Sequence, residues 1–140
     1  MAEKASEAFE RGKEMNVKFY RCNHCGNIAV KVVDSGVPLV CCGEEMELLV
    51  PDTQDAALEK HVPDVTVDGR KVRVQIGSVE HPMVDDHYIQ FICLVTDNSY
   101  QIHPLTSDNE PRCEFTLGEE EIPKEVYEYC NVHGLWKKNL

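Results

Sequence analysis

Of the thirteen cysteines and histidines in this sequence, nine fall into two groups whose residue types bind transition metals. The first is Cys22, Cys25, Cys41 and Cys42, in the windows RCNHCGN and VCCGE. The second is His61, His81, His87, Cys130 and His133, in EKHVP, HPMVDDHY and YCNVHG. A C-x-x-C turn points two thiolates at one centre, and a second pair closes a tetrahedral S4 site that suits iron or zinc. The adjacency of Cys41 and Cys42 is unusual, because neighbouring ligands force an opened sulfur–metal–sulfur angle. A structural zinc and a strained vicinal disulfide are the rival readings of this cluster. Neutral imidazole is the usual nitrogen ligand for iron, copper and zinc. Four imidazoles with one thiolate point to a redox metal rather than a structural one.

The spacings say what must carry these ligands. His81 and His87 do not have the i, i+4 separation of a helix-borne pair, so they fit a loop entering a strand, with Pro82 stiffening the exit. Cys130 and His133 form C-x-x-H, a turn placed at the end of the last strand. His61 comes from a linker just before Val62 and Pro63. Taken singly, each histidine is more simply a surface or core residue; the combination carries the signal. His24 inside the C-x-x-C knuckle reads as surface, and His103 in QIHPL, without a partner motif, as structural. Cys93 and Cys113 read as small buried hydrophobes.

Residues 1–15 read as a polar, weakly helical N-terminal extension. Residues 16–51 carry short β-like runs, KFYR and IAVKVV, broken by CNHCG, DSGVP and CCGEE, which fits a small sheet folded around a metal. PDTQDAALEK reads as a linker with one helical turn. From residue 62 the chain reads as all-β, so the second domain is taken as 52–140. Val72, Val74 and Ile76 alternate with Arg73 and Gln75, the period of a half-buried strand. HYIQFICLV is apolar on both faces and belongs at the centre of a sheet. SYQIH, RCEFTL and EVYEYC add short strands, with turns at VDGR, TDNS, SDNEP and LGEEE. Short strands with frequent turns point to an antiparallel sandwich.

The chain has 140 residues and a net charge of −11. A first unit this small needs a staple such as a metal. The acidic balance argues against nucleic acid as a partner, since phosphate binding needs a basic surface. It also repels any small anionic substrate unless a local cation intervenes. No apolar run reaches the roughly 20 residues of a membrane span, and the charged N-terminus lacks the apolar region of a signal peptide. The expectation is a soluble, cytoplasmic protein. Seven cysteines exclude complete disulfide pairing, and clustered cysteines in that compartment more often bind metal.

From about Lys18 to Lys137 the chain resembles the desulfoferrodoxins, the two-iron class of superoxide reductase. FYRCNHCGNI, VCCGEEM, EKHVP, GSVEHPMVDDHYI and YCNVHGLW carry the likeness, in the family's order. The resemblance implies a desulforedoxin-like domain followed by an immunoglobulin-like antiparallel β-sandwich, usually dimeric. It implies two non-haem irons. One is held by Cys22, Cys25, Cys41 and Cys42; the other by His61, His81, His87 and His133 in a plane, with Cys130 as axial thiolate and the sixth position open. The implied reaction takes one electron and two protons per superoxide and yields hydrogen peroxide. A family Glu-Lys pair falls on Glu59 and Lys60. Lys60 is the candidate for attracting the anion and ordering a proton-donating water, and Glu59 for meeting the ferric state after turnover. Arg70, Lys71 and Arg73 are candidates for extending a positive patch around Lys60. An electron donor such as rubredoxin is implied as partner.

Two other readings belong to different classes. The chain is an electron-transfer or structural module if the histidine site holds inert zinc, which cannot change oxidation state. It is a dismutase if turnover evolves oxygen.

Overall fold

The computed structural model describes residues 15–54 and 56–140; apart from Met15, the expected N-terminal extension lies outside them. The backbone divides into two units, one formed by Val17–Val50 and the other containing Pro51–Leu140.

The smaller unit is built from very short strands. β1 (Phe19–Arg21) pairs antiparallel with β2 (Ile28–Val30) and with β5 (Glu47–Leu48), while β3 (Val40–Cys41) pairs with β4 (Glu44–Glu45). Only Val17, Phe19 and Cys22 are buried apolar residues among those described in this unit. Val32, Val33, Val37 and Val40 face outward. So small a core cannot hold four strand ends in register without a cross-link.

The larger unit is the expected sandwich. After a one-turn helix, α1 (Leu58–His61), come β6 (Pro63–Asp68), β7 (Lys71–Ile76), β8 (Ile89–Thr96), β9 (Tyr100–Pro104), β10 (Arg112–Thr116), β11 (Pro123–Cys130) and β12 (Gly134–Asn139). They form a three-stranded sheet, β10-β7-β6, and a four-stranded sheet, β12-β11-β8-β9, both antiparallel. Val72, Val74, Ile76 and Phe115 from the first sheet meet Ile92, Leu94 and Val126 from the second. β7 alternates as its sequence predicts, and β8 is interior and buried along nearly its whole length. Pro63 opens β6, a position where its missing N–H is tolerated.

One expectation is corrected. Cys130 and His133 do not close the last strand; they lie in a tight hairpin between β11 and a further strand, β12. GLWKKN lacks the alternation of a half-buried strand, because its two lysines follow three buried residues. Gly134, at φ +84°, supplies the left-handed residue that turns the chain back.

Candidate metal centres

The first centre is local. The sulfurs of Cys22, Cys25, Cys41 and Cys42 lie within 4.8 Å of one another. A tetrahedral S4 metal site has sulfur–sulfur edges of about 3.8 Å, from a metal–sulfur bond near 2.3 Å. Cys25 and Cys41 sit at 3.7 Å, and the adjacent pair Cys41 and Cys42 at 4.0 Å, so the neighbours form the longer edge. Successive side chains on a strand point to opposite faces. Cys42 escapes this by taking φ +55°, followed by Gly43 at +79°, and both sulfurs then face one centre. The Cys25 N–H and the Asn27 Nδ2 group donate to the Cys22 and Cys41 sulfurs. The N–H of Cys25 is the main cause lowering Cys22 to about 6, whereas Cys22, Cys25 and Cys41 together push Cys42 up to about 12. Four thiolates therefore cannot share this space without a cation, and the donor set fits iron or zinc. His24 is no ligand: it is exposed and pairs with Glu44 at 3.0 Å.

The second centre is assembled from three segments. α1 supplies His61, the loop after β7 supplies His81 and His87, and the β11–β12 hairpin supplies Cys130 and His133. The imidazoles form a closed ring. Neighbouring centroids are 4.7 Å apart for His61–His81, 4.8 Å for His81–His87, 5.1 Å for His87–His133 and 4.9 Å for His133–His61. Each adjacent pair meets edge to face, with interplanar angles of 66–85°. His61 therefore stands opposite His87, and His81 opposite His133. Ligand atoms of His61, His81, His133 and the buried Cys130 lie within 4.8 Å of one another. His87 completes the ring from beside this group.

The outward nitrogens of two rings are accounted for: His61 Nδ1 faces Glu128 Oε2 at 3.4 Å, and His81 Nδ1 donates to the Pro82 carbonyl at 2.7 Å. His133 instead turns Nδ1 inward, 4.0 Å from the Cys130 sulfur. His81 Nε2 and His87 Nε2 are buried with no hydrogen-bond partner. A buried unsatisfied imidazole nitrogen is costly, and a metal in the ring removes that cost. Burial, reinforced by the neighbouring rings, lowers His61 and His81 to about 4, and burial also lowers His87. All three are thus neutral and ready to ligate at pH 7. Burial raises the Cys130 thiol, against backbone N–H groups of His133 and Val132 that favour the thiolate.

Around the ring, Trp136 stacks on His61 at 5.0 Å and donates Nε1–H to the His133 carbonyl at 3.0 Å. Lys60 is exposed, and its positive charge is among the lesser causes lowering His61, His81 and His87. The segment bearing Glu59 and Lys60 rests on the turn after β7. Val79 N–H donates to the Glu59 carbonyl at 2.9 Å and Gly77 N–H to the Val62 carbonyl at 3.1 Å. Gly77 is at φ +83°, and a Cβ there would lie 2.4 Å from the Val79 oxygen and 2.7 Å from the Glu59 oxygen.

The wider positive patch is not formed. Arg70 and Lys71 lie at the far end of the β6–β7 hairpin from the site, roughly 17 Å along the strands. Arg73 is paired with Glu114 and Asp68, and Lys71 with Glu114. His103 packs against Phe115, and Cys93 and Cys113 lie in strands and belong to neither cluster. Sequence reasoning missed Glu128, Trp136 and Gly77. Glu128 had a readable signal: on β11 it is in phase with Val126 and Cys130, hence on their face.

Comparison with known proteins agrees with this geometry. The family profile described as desulfoferrodoxin matches residues 53–139, and that of the desulfoferrodoxin N-terminal domain matches 14–49. A desulfoferrodoxin homolog from Archaeoglobus fulgidus is 43% identical over 86% of this chain and 95% of its own. Desulfoferrodoxin from Nitratidesulfovibrio vulgaris is 41% identical over 86% of this chain and 94% of its own. The crystal structure of the superoxide reductase from Treponema pallidum superposes with a TM-score of 0.76 at 34% identity, covering 89% of this chain and all of that one. The chain belongs to the desulfoferrodoxin family.

Proposed function

We propose that this chain is a superoxide reductase: it takes superoxide, one electron and two protons to hydrogen peroxide, without evolving oxygen. Cys22, Cys25, Cys41 and Cys42 hold one iron, and His61, His81, His87, His133 and Cys130 hold the other. The observation that carries the reading is the closed ring of four imidazoles with a buried thiol beside it. Iron bound there supplies the electron. The protein's part is to hold the imidazoles neutral, keep the sulfur dry and bring the anion in.

Lys60 does the last of these. On a chain of net charge −11, a local cation outweighs distant carboxylates when screening acts over about 8 Å. Lys60 also orders a water that donates a proton to the product, and Glu59, a hard oxygen donor, would suit a ferric ion held by the ring.

A small redox protein such as rubredoxin supplies the electron, a reading supported by the exposure of Cys25 and Cys42 at the first centre. The outward valines of the smaller unit support a homodimer. Seven cysteines, all unpaired, fit a reducing cytoplasm. Anaerobic superoxide kinetics on protein of measured iron content test the reading. Peroxide formed without oxygen supports it; oxygen evolution, or stoichiometric zinc at the histidine site, overturns it.

A further inference from the structure

Asn131 lies between Cys130 and His133 in the β11–β12 hairpin, yet it is bonded to both sides of His87. Its Oδ1 accepts from the Tyr88 N–H at 2.9 Å, and its Nδ2 donates to the Asp86 carbonyl at 3.2 Å. Its own N–H donates to the Tyr88 carbonyl at 3.2 Å. On the other flank, Val84 and His87 exchange two backbone hydrogen bonds of 3.0 Å. Sheet pairing does not reach this segment: the β8–β11 ladder ends at Ile89–Cys130, after an irregularity at Tyr129. One side chain, fixed covalently between two ligands, thus brackets a third.

We propose that Asn131 is a positioning residue for the second metal centre. It joins His87 to Cys130 and His133 as one rigid half of the site and sets the aim of His87 Nε2. This rests on the reading of His87 as a ligand. Alanine at this position removes both side-chain bonds. Aspartate keeps the acceptor for Tyr88 but sets an anion against the Asp86 carbonyl. Partners that orient a metal ligand typically matter about 10–100-fold in metal affinity.

The test uses the two-iron protein and compares Asn131→Ala, Asn131→Asp, His87→Ala and the double variant His87→Ala/Asn131→Ala. Iron loss to a chelator is followed at both centres, together with the sulfur-to-iron charge-transfer band. Amide exchange at Tyr88 is followed in metal-free protein. Asn131→Ala should speed iron loss from the histidine site about tenfold or more, shift the band and expose the Tyr88 amide. The four-cysteine site should be unaffected. Asn131→Asp should fall between, and it carries the same comparison if the alanine variant does not fold. In the His87→Ala background the second change should add less than about twofold, because the two residues act as a unit. Unchanged iron loss and band, or full additivity in the double variant, overturns the proposal. If His87→Ala itself leaves iron and band as in the parent, the ligand reading fails and the proposal with it, which differs from failure of Asn131 alone.

Discussion

The first centre draws its four sulfurs from two turns between residues 22 and 42; the second draws five ligands from α1, a loop and a hairpin spread from 61 to 133. The first is half exposed, with scarcely any apolar core beneath it; the second sits where His61, His81 and Cys130 are buried beside the packed sheets. Dependence on metal therefore runs in opposite directions. The smaller unit needs its metal to exist as a fold, whereas the sandwich has a core of its own and holds its ligands in place beforehand. Ligands set beside a packed core leave the metal's properties to be set by the protein; a four-sulfur site with little core beneath it takes its order from the metal.

The sharpest way to break this contrast is Cys41→Ser. Structural metal binding in small domains is worth about 10–16 kcal/mol, so residues 17–50 should lose their amide protection while the sandwich keeps its own and still reduces superoxide. A smaller unit that stays protected without metal would remove the asymmetry. The next largest effect belongs to Cys130→Ser, which should leave both units folded, abolish the sulfur-to-iron charge-transfer band and slow superoxide reduction at least about tenfold, since a thiolate ligand would be a principal electronic lever. A surviving band would refute Cys130 as the sulfur ligand. Lys60→Ala should change neither fold nor band. It should slow capture about tenfold at low ionic strength and flatten the salt dependence; an unchanged rate and slope would exclude Lys60.

The contrast also explains what the sequence could disclose. The four cysteines were legible because a C-x-x-C turn and a neighbouring pair are local, and local spacing constrains geometry. The sandwich was legible from the period of β7 and the double-sided apolarity of β8. The order of the imidazoles around the ring was not, because it depends on how three distant segments meet. The same holds for Gly77, whose necessity comes from the Glu59 carbonyl eighteen positions away in the chain. Arg70, Lys71 and Arg73 misled for the converse reason: nearness in sequence to Lys60 became distance along a hairpin, with acidic partners on the neighbouring strand.

Acid should destabilise the sandwich in metal-free protein. His61 and His81 titrate near 6.5 when unfolded and near 4 when folded. Between those values the unfolded state binds more protons, so the stability of the sandwich falls as pH drops from about 6.5 to about 4. Denaturant unfolding of the Pro51–Leu140 unit across that range checks it, and a flat profile would mean the rings are not held neutral.

Glu128 should give the smallest single effect, and it bends that profile. Burial raises its carboxyl well above 4.5, with Asp52 adding to the push, while burial lowers His61, so the pair at 3.4 Å is a neutral hydrogen bond rather than an ion pair. Glutamine preserves shape and an acceptor for the His61 N–H, so Glu128→Gln should change iron retention and superoxide reduction by no more than a few-fold. In metal-free protein a raised carboxyl works against the histidines: the folded state holds a proton that the unfolded state has released, and stability falls as pH rises above about 4.5. Removing that opposing group should steepen the loss of stability between pH 6.5 and 4. A shallower profile in Glu128→Gln, or a large loss of iron, would mean that Glu128 is ionised against a charged His61, and that the second centre is held by an ion pair and not by preformed neutral ligands.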